Sequence, residues 1–281
     1  MEMRKIAVVG LEKNSVWDFF HILESYKKKY EIDFIPFIYS NKEHNLYDSL
    51  EDKGYDPSDF EAVVSVGGDG TFLYSSRIFA GTDVAVFGVN KGHLGFNTNI
   101  EEKEFEKYFN RYMEDKVEFI YKNLLDVSIE GDPNLYLVIN EVVISFAGIS
   151  RTIRLKVFVG DNPICDFRGD GLIVSSPTGS TAYNLSAGGP ILHPSVNAFV
   201  VTPICPLTLA IRPYIIPFDE IINIKVEKPS SQAQVTLDGQ KIITLDIGQN
   251  IIIKKSSKRV KIVKGSKNFS EILKTKLGWM V

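Results

Sequence analysis

The stretch Ala62-Val-Val-Ser-Val66-Gly67-Gly68-Asp69-Gly70-Thr71 decides the fold. Ala62 to Val66 is short, apolar and β-branched, which suits a buried central strand of a parallel sheet. Gly67 and Gly68 follow, and without a Cβ the backbone can turn sharply and approach a ligand closely. Gly70 and Thr71 then open a helix, with Phe72, Leu73, Ile78, Phe79 and Ala80 spaced for one apolar face. Backbone N–H groups at a helix start lack intrahelical partners and favour phosphate, so Gly67, Gly68, Gly70 and Thr71 form a candidate phosphate loop. Asp69 is out of place there, because a carboxylate repels phosphate. Its position suggests chemistry instead: taking a proton from a hydroxyl, or holding a metal between phosphates. The plain alternative is a glycine turn whose Asp caps the helix.

Working outward, Lys5–Gly10 reads as a first strand, Val16–Lys29 as a helix and Ile32–Tyr39 as a second strand, with Pro36 marking an edge or bulge. Residues Asn41–Pro57 are polar and read as a short helix with loops. Asp83–Gly88 is another buried strand, followed by a second glycine loop, Gly88-Val-Asn90-Lys-Gly92-His93-Leu-Gly95-Phe96. Both glycine loops leave carboxyl ends of strands, where ligands of parallel sheets bind, so they can face one cleft. Glu101–Asp115 carries Phe105, Phe109, Tyr112 and Met113 at helical spacing, a packing stripe. The alternation over residues 1–120 predicts a Rossmann-like α/β domain with a parallel sheet.

After Val117 the texture changes to successive strand-like runs: Leu124–Ile129, Leu135–Phe146, Ile153–Val159, Leu172–Ser175, Ala198–Thr202, Ile221–Val226, Ala233–Leu237, Ile242–Leu245, Ile251–Lys254 and Val260–Val263. Leu237-Asp238-Gly239-Gln240 is a hairpin signal. Residues 121–267 therefore read as an all-β, β-sandwich-like domain. Asn268–Leu277 is helical again, and residues 268–281 are expected to pack back on the first domain.

Composition narrows the class. Of 281 residues 44% are apolar, so a substantial core can form and wholesale disorder is excluded. A net charge of −3 argues against a nucleic-acid partner, and the one dense basic stretch, Lys254-Lys255-Ser-Ser-Lys258-Arg259, reads as a solvated hairpin end. Cys165 and Cys205 are far apart and lack metal-ligand spacing, as expected of thiols in a reducing cytoplasm. The apolar run near the start is too short for a signal peptide, and Pro203 and Pro206 interrupt Ala198–Ile211, so no membrane span is expected. There is no Gly-x-x-x-x-Gly-Lys-Ser/Thr loop and no Gly-x-Gly-x-x-Gly after a strand, which disfavours P-loop kinases and hydride-transfer enzymes. His21, His44, His93 and His193 lack metal spacing, so no protein-held metal is expected, and His93 and His193 read as structural.

Two stretches of the second domain carry chemistry. Asn140-Glu141 interrupts an apolar strand, and adjacent strand residues face opposite ways, so both cannot share one wet face. Buried amides and carboxylates need partners, and ribose hydroxyls would serve both. The alternative is one buried structural bond plus one exposed acid. Phe167 to Pro190 gathers seven hydroxyl residues and five glycines around Arg168 and Asp170. Hydroxyls and free backbone groups can read a base edge and ribose oxygens, and Tyr183 can stack on a ring. A serine nucleophile is disfavoured, because no Gly-x-Ser-x-Gly elbow and no suitably spaced His are present.

Gly-Gly-Asp-Gly-Thr resembles the signature shared by NAD kinases, diacylglycerol-type lipid kinases and, more distantly, phosphofructokinases. Asp170-Gly171, Ser-Ser-Pro-Thr-Gly-Ser-Thr-Ala-Tyr183, Ala187-Gly-Gly-Pro-Ile-Leu-His193-Pro, Asn140-Glu141 and Asp238-Gly239-Gln240 make the resemblance to NAD kinases specific, from Lys5 to about Phe269. That resemblance implies transfer of the terminal phosphoryl of ATP, or alternatively of polyphosphate, to the 2′-hydroxyl of the adenosine ribose of NAD. Asp69 would be the catalytic base, with Gly70 against the dinucleotide. Asn140, Glu141, Arg151, Arg168, Asp170, Thr178, the run Thr181, Ala182, Tyr183, Asn184, Leu185 and Ser186, and Gln240 would contact NAD. It also implies a divalent cation, Mg²⁺ carried by ATP, a cytoplasmic enzyme and a homodimer or homotetramer. Phe96-Asn97 stands where many members have Phe-Leu. The rivals are a lipid kinase, which lacks the second set of motifs, and a dinucleotide sensor, which has no need of Asp69.

Overall fold

The computed structural model describes residues 3–11, 13–38 (backbone only at 13–15), 50, 53–92, 95–98, 100–148, 152–227 and 233–279. The chain forms two compact units, one of Met1–Lys122 with Lys258–Val281, the other of Asn123–Ser257.

In the first unit, β1 (Arg4–Gly10), α1 (Lys13–Tyr30), β2 (Ile32–Ile38), β3 (Ala62–Val66), α2 (Asp69–Ile78), β4 (Ala85–Asn90), β5 (Ile100–Glu101) and α3 (Phe105–Met113) follow one another. Strands β2, β1, β3 and β4 lie side by side in that order, all parallel, and β5 continues parallel to β4. All five residues of β3 are buried, as a central parallel strand covered on both faces requires. Pro36 sits in β2, at the end of the strand order, where its missing N–H costs no ladder bond. The core below the sheet is aromatic. Phe109 stacks on Phe105 (5.2 Å between ring centroids) and meets Tyr26 edge-on at 4.9 Å.

Two sequence expectations change here, and a third is mostly untested. The helix expected from Glu101 begins as a 3-10 turn, Glu102–Glu104, before α3. Most of Asn41–Pro57, and Tyr39, lie outside the described residues. The basic stretch is no hairpin end: β17 (Asn250–Val263) is one continuous strand, whose Lys261 and Ile262 pair with Ala85 and Val86 of β4. Its polar residues stay in the strand because strand side chains can alternate to solvent while the backbone keeps its ladder. Helix α5 (Phe269–Leu277) closes the unit's sequence, with Asn268 and Glu271 forming a reciprocal cap and Gly278 ending it at φ 67°.

The second unit holds β7 (Leu135–Val138), β8 (Glu141–Phe146), β9 (Ile153–Val159), β10 (Asn162–Gly169), β11 (Gly171–Ser175), α4 (Tyr183–Ser186), β12 (Ala198–Ile204), β13 (Tyr214–Pro217), β14 (Ile222–Glu227), β15 (Ala233–Leu237) and β16 (Lys241–Leu245), with most of β6 (Phe119–Ile129). One antiparallel sheet runs β13-β12-β11-β8-β15-β16. In the other, β14 lies between β9 and β17, and β9 is flanked by β10. Alternate residues such as Ile153, Leu155 and Val157, or Ala233, Val235 and Leu237, meet in one core drawn from both sheets. That is a sandwich built on period-two patterning. Strands β10 and β13 escaped the sequence reading because β10 is polar and mostly exposed and β13 is only four residues long. The run Leu135–Phe146 is broken at Ile139-Asn140 into β7 and β8.

Replacing Phe109 by Ala should remove the centre of the aromatic core and cost about 3–5 kcal/mol in urea unfolding at equilibrium. An unchanged midpoint would show that the core collapses around the gap.

Candidate active site

The carboxylate of Asp69 is not aimed freely at solvent. It sits in the first turn of α2, where a negative charge suits the helix dipole. Oδ2 accepts the N–H of Phe96 at 2.9 Å. Oδ1 accepts the N–H of Asn97 at 2.9 Å and of Thr98 at 3.0 Å, together with the Thr98 hydroxyl at 3.2 Å. The second glycine loop is therefore wrapped on the first through one side chain. Among the described residues Oδ2, with one bond, is the less occupied oxygen and the one better able to meet a further hydroxyl. A Cβ at Gly95 would overlap the Asp69 carboxylate and the Thr98 hydroxyl, so this approach needs glycine. His93 and Leu94 of the same loop lie outside the described residues.

Lys122, on β6, stands by this assembly. Its ammonium donates to Asn97 Oδ1 and lies 5.7 Å from the centre of the Phe72 ring. The residue as a whole is only partly buried, but the ammonium is enclosed: loss of water lowers its pKa to about 8, against the opposing pull of the Asp69 carboxylate. The sequence reading missed Lys122. A lone lysine among the strand residues Phe119-Ile-Tyr-Lys-Asn-Leu-Leu125 was the available signal.

In the second unit another aspartate does the same work. The hairpin between β15 and β16 turns through Asp238 (φ 50°) and Gly239 (φ 65°), the two left-handed residues expected of an Asp-Gly turn. Buried Asp238 accepts N–H groups from Ile139 (3.1 Å), Asn140 (2.6 Å) and Glu141 (3.3 Å). These bonds explain the break between β7 and β8, since the N–H groups there go to a side chain instead of a neighbouring strand. Ser176 donates its hydroxyl to the Ile139 carbonyl and its N–H to the Asn140 carbonyl at 2.8 Å. Gly179 lies so close that a Cβ would overlap the Asn140 backbone. The run Ser175–Gly179 and the pair Asn140-Glu141 are thus one interlocked piece.

Both members of that pair are buried, at 7% and 5% exposure, which removes the alternative of one exposed acid. Asn140 Oδ1 and Glu141 Oε2 have no hydrogen-bond partner among the described residues. Burial, and then the charge of Asp238, push the Glu141 carboxyl up to about 8. Around them Tyr183 and Ser186 are exposed, Thr178, Thr181, Ala182 and Leu185 are partly buried, and Arg168 and Asp170 are exposed at the end of β10. Asn184 differs. Its amide donates to the Ser180 and Pro190 carbonyls at 3.0 Å each, and its oxygen accepts the Thr202 hydroxyl at 2.6 Å, so its side chain is spent inside the protein. The Cys205 thiol bonds Asp170, whose charge helps raise the thiol's pKa. Gln240 ends the hairpin turn, donating its N–H to the Leu237 carbonyl at 2.9 Å. Arg151 lies outside the described residues. His193 is engaged with Ser195 through Nδ1 at 2.6 Å.

A carboxylate at a Gly-Gly-Asp-Gly-Thr helix start in the first unit, and buried amide and carboxyl acceptors beside a hydroxyl-rich run in the second, are features of a nucleotide-dependent phosphotransferase. Comparison with known proteins is specific. Residues 26–117 match the ATP-NAD kinase N-terminal domain and residues 139–265 the ATP-NAD kinase C-terminal domain. The NAD kinase of Aquifex aeolicus is 37% identical over 281 residues, covering 99% of this chain and 100% of its own. That of Treponema denticola is 35% identical over 283 residues, covering 99% and 97%. Among solved structures, an NAD kinase from Archaeoglobus fulgidus in complex with ATP superposes with a TM-score of 0.76 at 27% identity, over 96% of this chain and 97% of that one. Yeast NADH kinase complexed with NADH shares the fold, with a TM-score of 0.83 at 23% identity over 99% and 88%. The chain belongs to the ATP-NAD kinase family.

Glu141 makes stability pH-dependent. Unfolded, it ionises near 4.5; folded, it stays protonated to about 8, so the native state binds more protons in between. Its contribution is present below 4.5 and is lost as pH rises toward 8. Glu141→Gln should leave the melting temperature near pH 4.5 unchanged and raise stability above pH 8, by on the order of 2–4 kcal/mol. Equal melting curves at pH 8.5 would contradict this.

Proposed function

We propose that this chain transfers the terminal phosphoryl group of ATP to the 2′-hydroxyl of the adenosine ribose of NAD, producing NADP. The observation that carries the acceptor assignment is the pair of buried, unpartnered oxygens, Asn140 Oδ1 and Glu141 Oε2. Burying them unpaired is costly, and ribose hydroxyls can donate to one and exchange donor and acceptor roles with the other. Asp69 would orient the acceptor hydroxyl and take its proton, through the less occupied Oδ2. Gly67, Gly68, Gly70 and Thr71 would lie along the phosphates, so that positioning supplies most of the rate. Exposed Tyr183 would stack on a ring. Thr178, Thr181, Ala182, Leu185 and Ser186, with the backbone of Asn184, would line the base and riboses, while Arg168, Asp170 and Gln240 would complete the contacts.

A divalent cation would arrive with ATP and neutralise its phosphates. Among the described residues no group of three His, Cys, Asp or Glu side chains gathers in one place. One comparison structure is in complex with ATP and another with NADH, and polyphosphate as donor is the variant that an activity assay separates. Free thiols at Cys165 and Cys205 support a cytoplasmic setting, and no helix among the described residues is long and apolar enough to cross a membrane. Exposed Leu207, Leu209, Tyr214 and Ile215 support a homodimer or homotetramer, which light scattering would reveal as a multiple of the 31.6 kDa chain.

Purified protein with NAD, ATP and Mg²⁺ should form NADP, read by an NADP-specific dehydrogenase. Asp69→Asn should lower turnover at least about 1,000-fold while NAD binding by calorimetry stays within a few-fold. Near-normal turnover in that variant would end the role of Asp69, and NADP formed with polyphosphate alone would change the donor.

A further inference from the structure

The Asp69 carboxylate is aimed by a loop, and that loop is itself held from outside. Asn97 supplies a backbone N–H to Asp69 Oδ1 at 2.9 Å. Its side chain is buried, at 6% exposure, and its Oδ1 accepts the Lys122 ammonium. The same ammonium lies over Phe72, one turn along α2 from Asp69. Lys122 therefore touches both sides of the Asp69 junction, the loop that grips the carboxylate and the helix that carries it. A charge-assisted bond in an enclosed site is stronger and more directional than a neutral one. Surface ion pairing does not explain it: the acceptor is an amide, and the charged group that acts on the ammonium is Asp69 itself.

We propose that Lys122 is a positioning residue for phosphoryl transfer, holding residues 96–98 through Asn97 so that their N–H groups fix the Asp69 carboxylate toward the acceptor hydroxyl. The proposal rests on the assignment of Asp69 to that hydroxyl. Lys122 touches no substrate in it. Its effect belongs in kcat, because a misaimed carboxylate weakens the transition state while both substrates still bind.

The experiment compares wild type, Lys122→Met, Lys122→Arg, Asn97→Ala, the Lys122→Met/Asn97→Ala double variant and Asp69→Asn, each with melting temperature, kcat and both KM values. Lys122→Met keeps the stem against Phe72 and removes the charge. Asn97→Ala removes the acceptor and keeps the backbone N–H. Each should lower kcat about 10- to 100-fold with both KM values within about threefold. The double variant should be no worse than the worse single one, because both break one link. Lys122→Arg, which keeps charge and donor, should recover most of the kcat. A kcat within twofold of wild type in both single variants would overturn the proposal. So would losses that multiply in the double variant, or a rise in KM for ATP at constant kcat, which would make Lys122 a phosphate contact. Should Lys122→Met fail to fold, Asn97→Ala and Lys122→Arg carry the same test. If Asp69→Asn retains turnover, the assignment of Asp69 fails first; if it does not and the Lys122 and Asn97 variants stay active, only this inference fails.

Discussion

Three consecutive backbone N–H groups at a junction between two strands must find acceptors, and this chain meets that demand twice with one aspartate each time. Asp69 takes the N–H groups of residues 96–98, and Asp238 those of residues 139–141. A backbone donor left unpaired inside a protein costs about as much as a lost hydrogen bond, so three in succession would unmake either loop. Each carboxylate converts an irregular segment into a fixed one. The placement of the second glycine loop, the break between β7 and β8, and the burial of Asn140 and Glu141 all follow from these two side chains.

The solution has a cost that a ligand would relieve. Holding residues 139–141 in place buries Asn140 Oδ1 and Glu141 Oε2 without partners among the described residues. Glu141 answers by retaining its proton to about 8, which avoids burying a charge beside Asp238 but leaves a polar group unsatisfied. Stability withheld in this way becomes binding energy for any molecule that brings matching hydroxyls. The side-chain polar atoms of Asn184 are by contrast satisfied within the protein, although it neighbours Tyr183 and looks equally functional in sequence. Adjacency in sequence does not separate ligand-facing groups from scaffold; the count of internal partners does.

What was legible in sequence was whatever rests on period and turn chemistry. Ala62–Val66 as a buried strand, the helix after Gly-Gly, the Asp-Gly hairpin and the alternating strands of the sandwich all follow local rules that tertiary contacts reinforce. The misses have a common origin in long-range partners. Leu135–Phe146 looks continuous until Asp238, nearly a hundred positions later, withdraws its N–H groups. The basic stretch of β17 reads as a turn because its pairing partners, such as Ala85, lie far back in the chain. Lys122 carries no motif, and its meaning depends on Asn97, a residue the sequence offered only as a departure from Phe-Leu.

The two aspartate clamps differ in the span of chain each must close. Asp69 reaches partners 27 to 29 residues away, whereas Asp238 reaches partners 97 to 99 residues away. Loop closure over the longer span costs about 1 kcal/mol more in chain entropy, and contacts of that separation form late in folding. The Asp69 grip can assemble while the chain is still emerging from the ribosome, once residues 96–98 and then Lys122 are free. The segment bearing Asn140 and Glu141 must wait, its N–H groups hydrated, until β15 and its hairpin have been made. The first unit's clamp can therefore be complete before the second unit's clamp exists at all.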